Sequence, residues 1–98
     1  MRGEKGLSRV LASVGIFVDK SKKEDVLAGL YQIENVEEIY EVVGEFDIFS
    51  IVSASCLEEL RETLQRKIMK IKGVKSTVTN IILRPYKVAK KLEASKPM

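Results

Sequence analysis

Gly44-Glu45-Phe46-Asp47 sits where two apolar runs, Val36–Val43 and Ile48–Ala54, turn into one another. The glycine supplies the open backbone of a tight turn, and the Asp47 carboxylate then stands at the mouth of a hairpin. Further on, Gly73-Val74 precedes Thr77-Val78-Thr79. Two hydroxyls two residues apart on a strand point to the same face. A carboxylate, a glycine turn and paired threonines suit the grip of a small polar ligand. They do not suffice for most catalysis.

Other candidate chemistry falls away on inspection. The chain has no histidine. That removes the commonest general base, the Ser-His and Cys-His nucleophile pairs, and histidine metal sites. Cys56 is the only cysteine, so no internal disulfide forms, and an intracellular, cytoplasmic protein is expected. At a helix start its thiol could be acidified, but no basic partner lies in the same segment, so it reads as a small apolar filler. Glu37-Glu38 and Glu58-Glu59 are adjacent pairs whose side chains diverge, so they read as solvated surface. No catalytic residue, metal set or cofactor is expected.

The 98 residues make one domain, with 45% hydrophobic and 32% charged side chains. A domain this small gains from burial through oligomerisation. Net charge is +3 with both signs interspersed, which does not argue for nucleic acid. Few Asn and Gln residues (Gln32, Asn35, Gln65, Asn80) among many Lys, Glu, Ile and Val lean towards a thermophilic source. No apolar run approaches the ~18 residues of a membrane span, and Met1–Gly6 lacks the apolar core of a signal peptide.

The elements that position the hairpin and the threonines form one pattern written twice. Ser8 to Val18 alternates as a strand. Ser21-Lys22-Lys23-Glu24 reads as a capping box, followed by Val26, Leu27, Leu30 and Tyr31 at helical spacing. Asn35 is suited to the left-handed residue that ends a helix. A second strand runs from Val36 to about Val43, and a third from Ile48 to Ala54. Ser55-Cys56-Leu57-Glu58 reads as a second capping box, and Leu57, Leu60, Leu64, Ile68 and Ile71 mark one helix face. Gly73 ends that helix, and Ser76 to Leu83 makes the fourth strand. The order βαββαβ predicts an α+β, ferredoxin-like fold. Right-handed crossovers give an antiparallel sheet of order 4-1-3-2 with both helices on one face. The expected divisions are a tail over 1–7, the domain over 8–84 and a basic tail over 85–98. Pro85 stops the last strand, and Tyr86–Ala94 reads as a short terminal helix or a frayed tail.

Two helices cover only one face of such a sheet. Yet Leu11 and Phe17 oppose the Val/Ile row of the first strand, Phe49 and Ile51 oppose Ile48 and Val52, and Ile81 and Leu83 oppose Val78 and Ile82. A wet second face would leave a large apolar patch. The simplest cover is a second copy, giving a two-fold dimer.

Taken in this order, the residues resemble the effector (RAM) domain of the Lrp/AsnC transcription regulators. The matching string runs from Val14 to Leu83, with Gly44-x-Phe46-Asp47 at the hairpin and Gly73-Val74-x-x-Thr77-x-Thr79 entering the last strand. The resemblance implies a dimeric α/β barrel, often a ring of dimers, with an amino acid bound at contacts between dimers. Carried over, the ligand residues are Gly44, Glu45, Phe46, Asp47, Thr77 and Thr79. In typical members a helix-turn-helix unit precedes this domain. Here about seven residues precede the first strand, too few for one. That implies a stand-alone effector domain with no specific DNA binding of its own, able to pair with full-length relatives. The competing readings are an ACT-like ligand module, a small dimeric-barrel enzyme and a structural oligomer without ligand. The missing histidine weighs against the enzyme, and the Gly-x-Phe-Asp hairpin against the ACT-like module.

Overall fold

The computed structural model describes residues 9–89. Strand β1 (Val10–Val18) leads through a single 3₁₀ turn (Lys20–Lys22) into helix α1 (Lys23–Tyr31). Strands β2 (Val36–Glu41) and β3 (Ile48–Ala54) form the hairpin. Helix α2 (Leu57–Glu62) continues as a π-helical stretch, Thr63–Ile68, before strand β4 (Val74–Ile82). The sheet order is β2-β3-β1-β4, and every pairing is antiparallel, as the βαββαβ reading predicts. The fold is ferredoxin-like α+β.

The period-2 alternation of β1 divides the molecule. Ala12, Val14, Ile16 and Val18 are buried against the helices. They meet Val26 and Leu30 of α1, Leu60 of α2 and Ile68 at the end of the π stretch, with Ile48, Val52 and Ala54 from β3. Ser50 lies in this core and satisfies its hydroxyl by donating to the Val14 carbonyl (3.1 Å). The odd residues of β1 face the other way. Around them Leu11, Tyr40 and Val78 are exposed, and Phe17, Phe49, Ile51 and Ile82 are half-buried. This second face carries no helix, and it is apolar as predicted.

Several local expectations are corrected. The Ser21 box does not form; Asp19 accepts from the Ser21 N–H (3.1 Å) and hydroxyl (3.0 Å), capping the 3₁₀ turn instead. The second box is shifted by one residue. Glu59, not Glu58, reaches back to the Ser55 N–H (2.6 Å) and hydroxyl (2.7 Å), while Glu58 pairs with Arg61 at 3.1 Å. Tyr31 and Leu57, read as part of the helix stripes, stand exposed at 79% and 61%. Cys56 is also exposed and fills no gap in the core. The strand bounds move by two residues, β2 ending at Glu41 and β4 opening at Val74. Residues 86–89 are not helical, and the rest of the proposed terminal helix, like the tail over 1–7, lies outside the described residues.

Asn35 is not left-handed, since among the described residues only Gly44 and Gly73 have positive φ. Its side chain does the work instead. The side-chain amide nitrogen donates to the Ser53 carbonyl (3.0 Å) and to the Thr63 hydroxyl (2.8 Å), while the Asn35 backbone carbonyl accepts from the Ser53 N–H (3.0 Å). One residue thus ties the α1–β2 turn to β3 and to the π stretch. Asn35→Ala should cost about 1–3 kcal/mol, the range for stranding buried polar partners. Urea unfolding measures this; a change under about 0.5 kcal/mol would show that water replaces the amide at no cost.

Candidate functional site

The β2–β3 connection is a loop over residues 42–47, longer than a tight turn. Gly44 has φ 153°, a region that favours glycine, and a side chain there would meet open space. Gly44 and Glu45 form an exposed tip. Phe46 and Asp47 turn inward, each to a specific partner within the chain.

Phe46 folds over the helix-free face of the sheet. A Cβ built on Gly15 would lie 2.5 Å from the Phe46 ring, so the ring occupies the space that a side chain would need. The Phe46 ring also meets Phe17 edge-on, with centroids 5.4 Å apart. Glycine in the middle of a strand otherwise rich in β-branched residues was the available signal for this close approach. Gly15→Ala should destabilise the domain by about 1–3 kcal/mol through overpacking. In a double-mutant cycle Phe46→Ala should recover part of that loss. Strictly additive losses would show that the ring and Gly15 are not in conflict.

Asp47 fastens the loop to the end of β1. Its carboxylate accepts from the Val18 N–H (2.9 Å), and its own N–H donates to the Ile16 carbonyl (3.0 Å). Lys23 lies close by, in an ion pair with Glu41 at 2.8 Å. The Glu41 hydrogen bond and charge hold the Lys23 ammonium above the usual lysine range, and the Asp47 charge adds to that. The second Asp47 oxygen makes no hydrogen bond among the described residues. Asp47→Asn keeps an acceptor for Val18, so it should leave the melting temperature nearly unchanged. Asp47→Ala strands a buried N–H and should cost about 1–3 kcal/mol. Equal melting of the two variants would remove the Val18 bond from this account.

Thr77 and Thr79 stand opposite Ile16 and Val14 across the β1–β4 ladder. Directly opposed residues share a face, so both threonines lie on the helix side. Thr79 lines a shallow groove of about 430 Å³ with Leu57, Leu60, Leu64 and Ile81. Phe46 lies on the opposite face. One chain therefore does not bring the six predicted residues together: the sheet separates the loop tip and Phe46 from the threonines. Among the described residues no group of three or more His, Cys, Asp or Glu side chains is arranged to hold a metal ion. No helix there is long and apolar enough to cross a membrane.

Residues 11–92 match the sequence profile of the Lrp/AsnC ligand binding domain. The chain is 29% identical over 83 residues to the HTH-type transcriptional regulator Ptr1 of Methanocaldococcus jannaschii, covering 85% of this chain and 56% of that protein. A shorter stretch of 52 residues is 42% identical to part of homocitrate synthase from Sulfolobus acidocaldarius, covering 53% of this chain and 11% of the enzyme. Among solved structures, E. coli AsnC superposes with a TM-score of 0.84 at 26% identity, over 93% of this chain and 61% of that one. A feast or famine regulatory protein from M. tuberculosis, complexed with L-methionine, gives 0.75 at 31% identity, over 92% and 59%. The chain spans about half the length of the curated regulators it matches. The profile covers most of the chain, and the antiparallel four-stranded sheet with its helices on one face agrees with it, so the chain belongs to the Lrp/AsnC family, whose ligand-binding domain it carries.

Proposed function

We propose that this domain senses a small amino acid at contacts between subunits and, by changing its assembly, modulates transcription or amino-acid metabolism. The observation that carries the reading is the ligand-binding-domain match over residues 11–92. The M. tuberculosis relative in complex with L-methionine supports the ligand class. A homodimer with facing sheets is the first step of assembly, because it covers Leu11, Phe17, Phe49, Ile51 and Val78. A ring of dimers, or a mixed assembly with a full-length relative, is the second.

The division of the site by the sheet fits this order. A ligand that touches both the Gly44–Asp47 loop and Thr77 or Thr79 has to lie between copies. The free oxygen of Asp47 takes the ammonium, backbone N–H groups over Gly44–Phe46 take the carboxylate, and a threonine hydroxyl serves either end. Binding then favours whichever assembly completes the site.

A second reading has one observation behind it: the stretch shared with homocitrate synthase. On that reading the domain is a ligand-sensing module for a metabolic enzyme. Regulator relatives align over a longer part of the chain, which favours the first.

Two measurements test the proposal. Light scattering after size exclusion should show at least a dimer, and Phe49→Lys or Ile51→Lys should shift it towards monomer or aggregate, since the lysine would be buried unpaired. A wild-type monomer at micromolar concentration would remove the facing-sheet dimer. Calorimetric titration with the common amino acids should find at least one binder. Asp47→Asn should weaken it roughly ten- to a hundred-fold, the loss of a charge-assisted bond of ~1.5–3 kcal/mol. Unchanged affinity would take Asp47 out of the ligand site.

A further inference from the structure

A second polar cavity lies at the other end of the sheet from the Gly44–Asp47 loop. It has a volume of about 400 Å³ and is lined by Arg9, Glu34, Asn35, Glu37, Glu59 and Lys67. Its floor is a connected set of hydrogen bonds. Arg9 donates to the Ser53 hydroxyl (3.2 Å), which donates to the Glu37 carboxylate (2.8 Å). Asn35 is fixed by Ser53 and Thr63, both almost fully buried at 3% and 2% exposure. Glu59 is held by Ser55. These four side chains are therefore positioned before any ligand arrives. Glu34 and Lys67 make no hydrogen bond or ion pair among the described residues, and they supply a free anion and a free cation at the same cavity.

The π-helical stretch is the second observation. The Met69 N–H donates to the Leu64 carbonyl five residues back (2.8 Å), which is the wide-turn pattern. Thr63 and Lys67 both belong to this stretch, Thr63 under the cavity and Lys67 on its wall. Wide turns of this kind cost hydrogen-bond geometry and cluster at functional sites. Here the distortion sits beside the cavity and is pinned to it by Asn35.

The charges state what would fit. Two cations and three carboxylates line the cavity, which leaves one net negative charge, and no apolar side chain is among them. Arg9 and Lys67 suit a carboxylate, and Glu34 and Glu37 suit ammonium groups. A zwitterion with a further positive charge balances the set, whereas an apolar side chain would have nothing to bury against. The Glu59 carboxyl lies below its usual range, first through its two Ser55 bonds and then through Arg9 and Lys67, so it is ionised at neutral pH and contributes a fixed charge.

The geometry points to a second ligand site in this cavity, separate from the Gly44–Asp47 loop, that takes a free α-amino acid with a cationic side chain. It is complete within one chain and does not depend on the interface site proposed above.

Titration of the ¹⁵N-labelled full chain with L-lysine, followed by NMR, tests it. Saturable shifts are expected at the Asn35 side-chain amide and at the backbone of Glu34, Glu37 and Lys67. They should persist in Asp47→Asn, which separates this site from the loop. Glu34→Gln and Lys67→Met should each lower lysine affinity at least tenfold while melting like the wild type. Cadaverine, which lacks the carboxylate, should bind at least tenfold more weakly. The absence of shifts at these residues up to about 10 mM lysine, beyond the weak millimolar range, would overturn the site. Shifts confined to Gly44–Asp47, unchanged affinity in both variants, or equal binding of cadaverine would overturn it as well.

Discussion

Two helices cannot cover both faces of a four-stranded sheet, and the strands of this chain are apolar on both. Everything else in the structure follows from how that mismatch is handled. On one face β1 buries Ala12, Val14, Ile16 and Val18 under α1 and α2, and this is the core. On the other, Leu11 and Val78 remain exposed and aromatic side chains cluster, with Phe17 against Phe46 and Tyr40 against Phe49 at 6.4 Å. Hydrophobic burial is the largest favourable term available to a domain of this size, so an uncovered face is a standing drive towards association.

The Gly44–Asp47 loop connects that drive to the proposed ligand. Its tip, Gly44 and Glu45, is open to solvent. Its root is fixed twice, by Phe46 over Gly15 on the helix-free face and by Asp47 on the Val18 N–H at the end of β1. A ligand that draws on Asp47 acts on the same backbone that carries Phe46 into the association face. The two residues of the motif that look most like ligand contacts therefore also hold the loop to the sheet. A sensing loop needs that property if occupancy is to alter assembly and not simply fill a surface.

The far end of the sheet is built differently. There Asn35, Ser53 and Thr63 form a hydrogen-bonded floor under charged walls, and the wide turns of Thr63–Ile68 stand beside it. Buried hydroxyls need partners, and once paired they hold their neighbours rigidly. The two ends of β1 thus present contrasting environments. One is an aromatic-backed loop, where the proposed ligand site needs other subunits; the other is a polar cavity made within one chain.

The order of the elements, the sheet topology and the two-faced character of the strands were legible in the sequence, because period-2 and period-3.6 patterns are local and survive any change of partner. Gly44 and Gly73 were legible too, since positive φ is a property of single residues. Side-chain partners were not. The Ser21 and Ser55 boxes failed as written because Asp19 and Glu59 competed for the same N–H groups at short range. Asn35 read as a helix terminator, yet its role is set by Ser53 and Thr63, which reach it only when β3 and the π-helical stretch are docked. The threonines shared a face as expected, but which face, and that Phe46 takes the other, depends on the register of β4 against β1. Sequence alone determined which residues alternate; tertiary packing decided what each one meets, because a hydrogen bond or a ring contact is fixed by a few ångströms of register that no local pattern encodes.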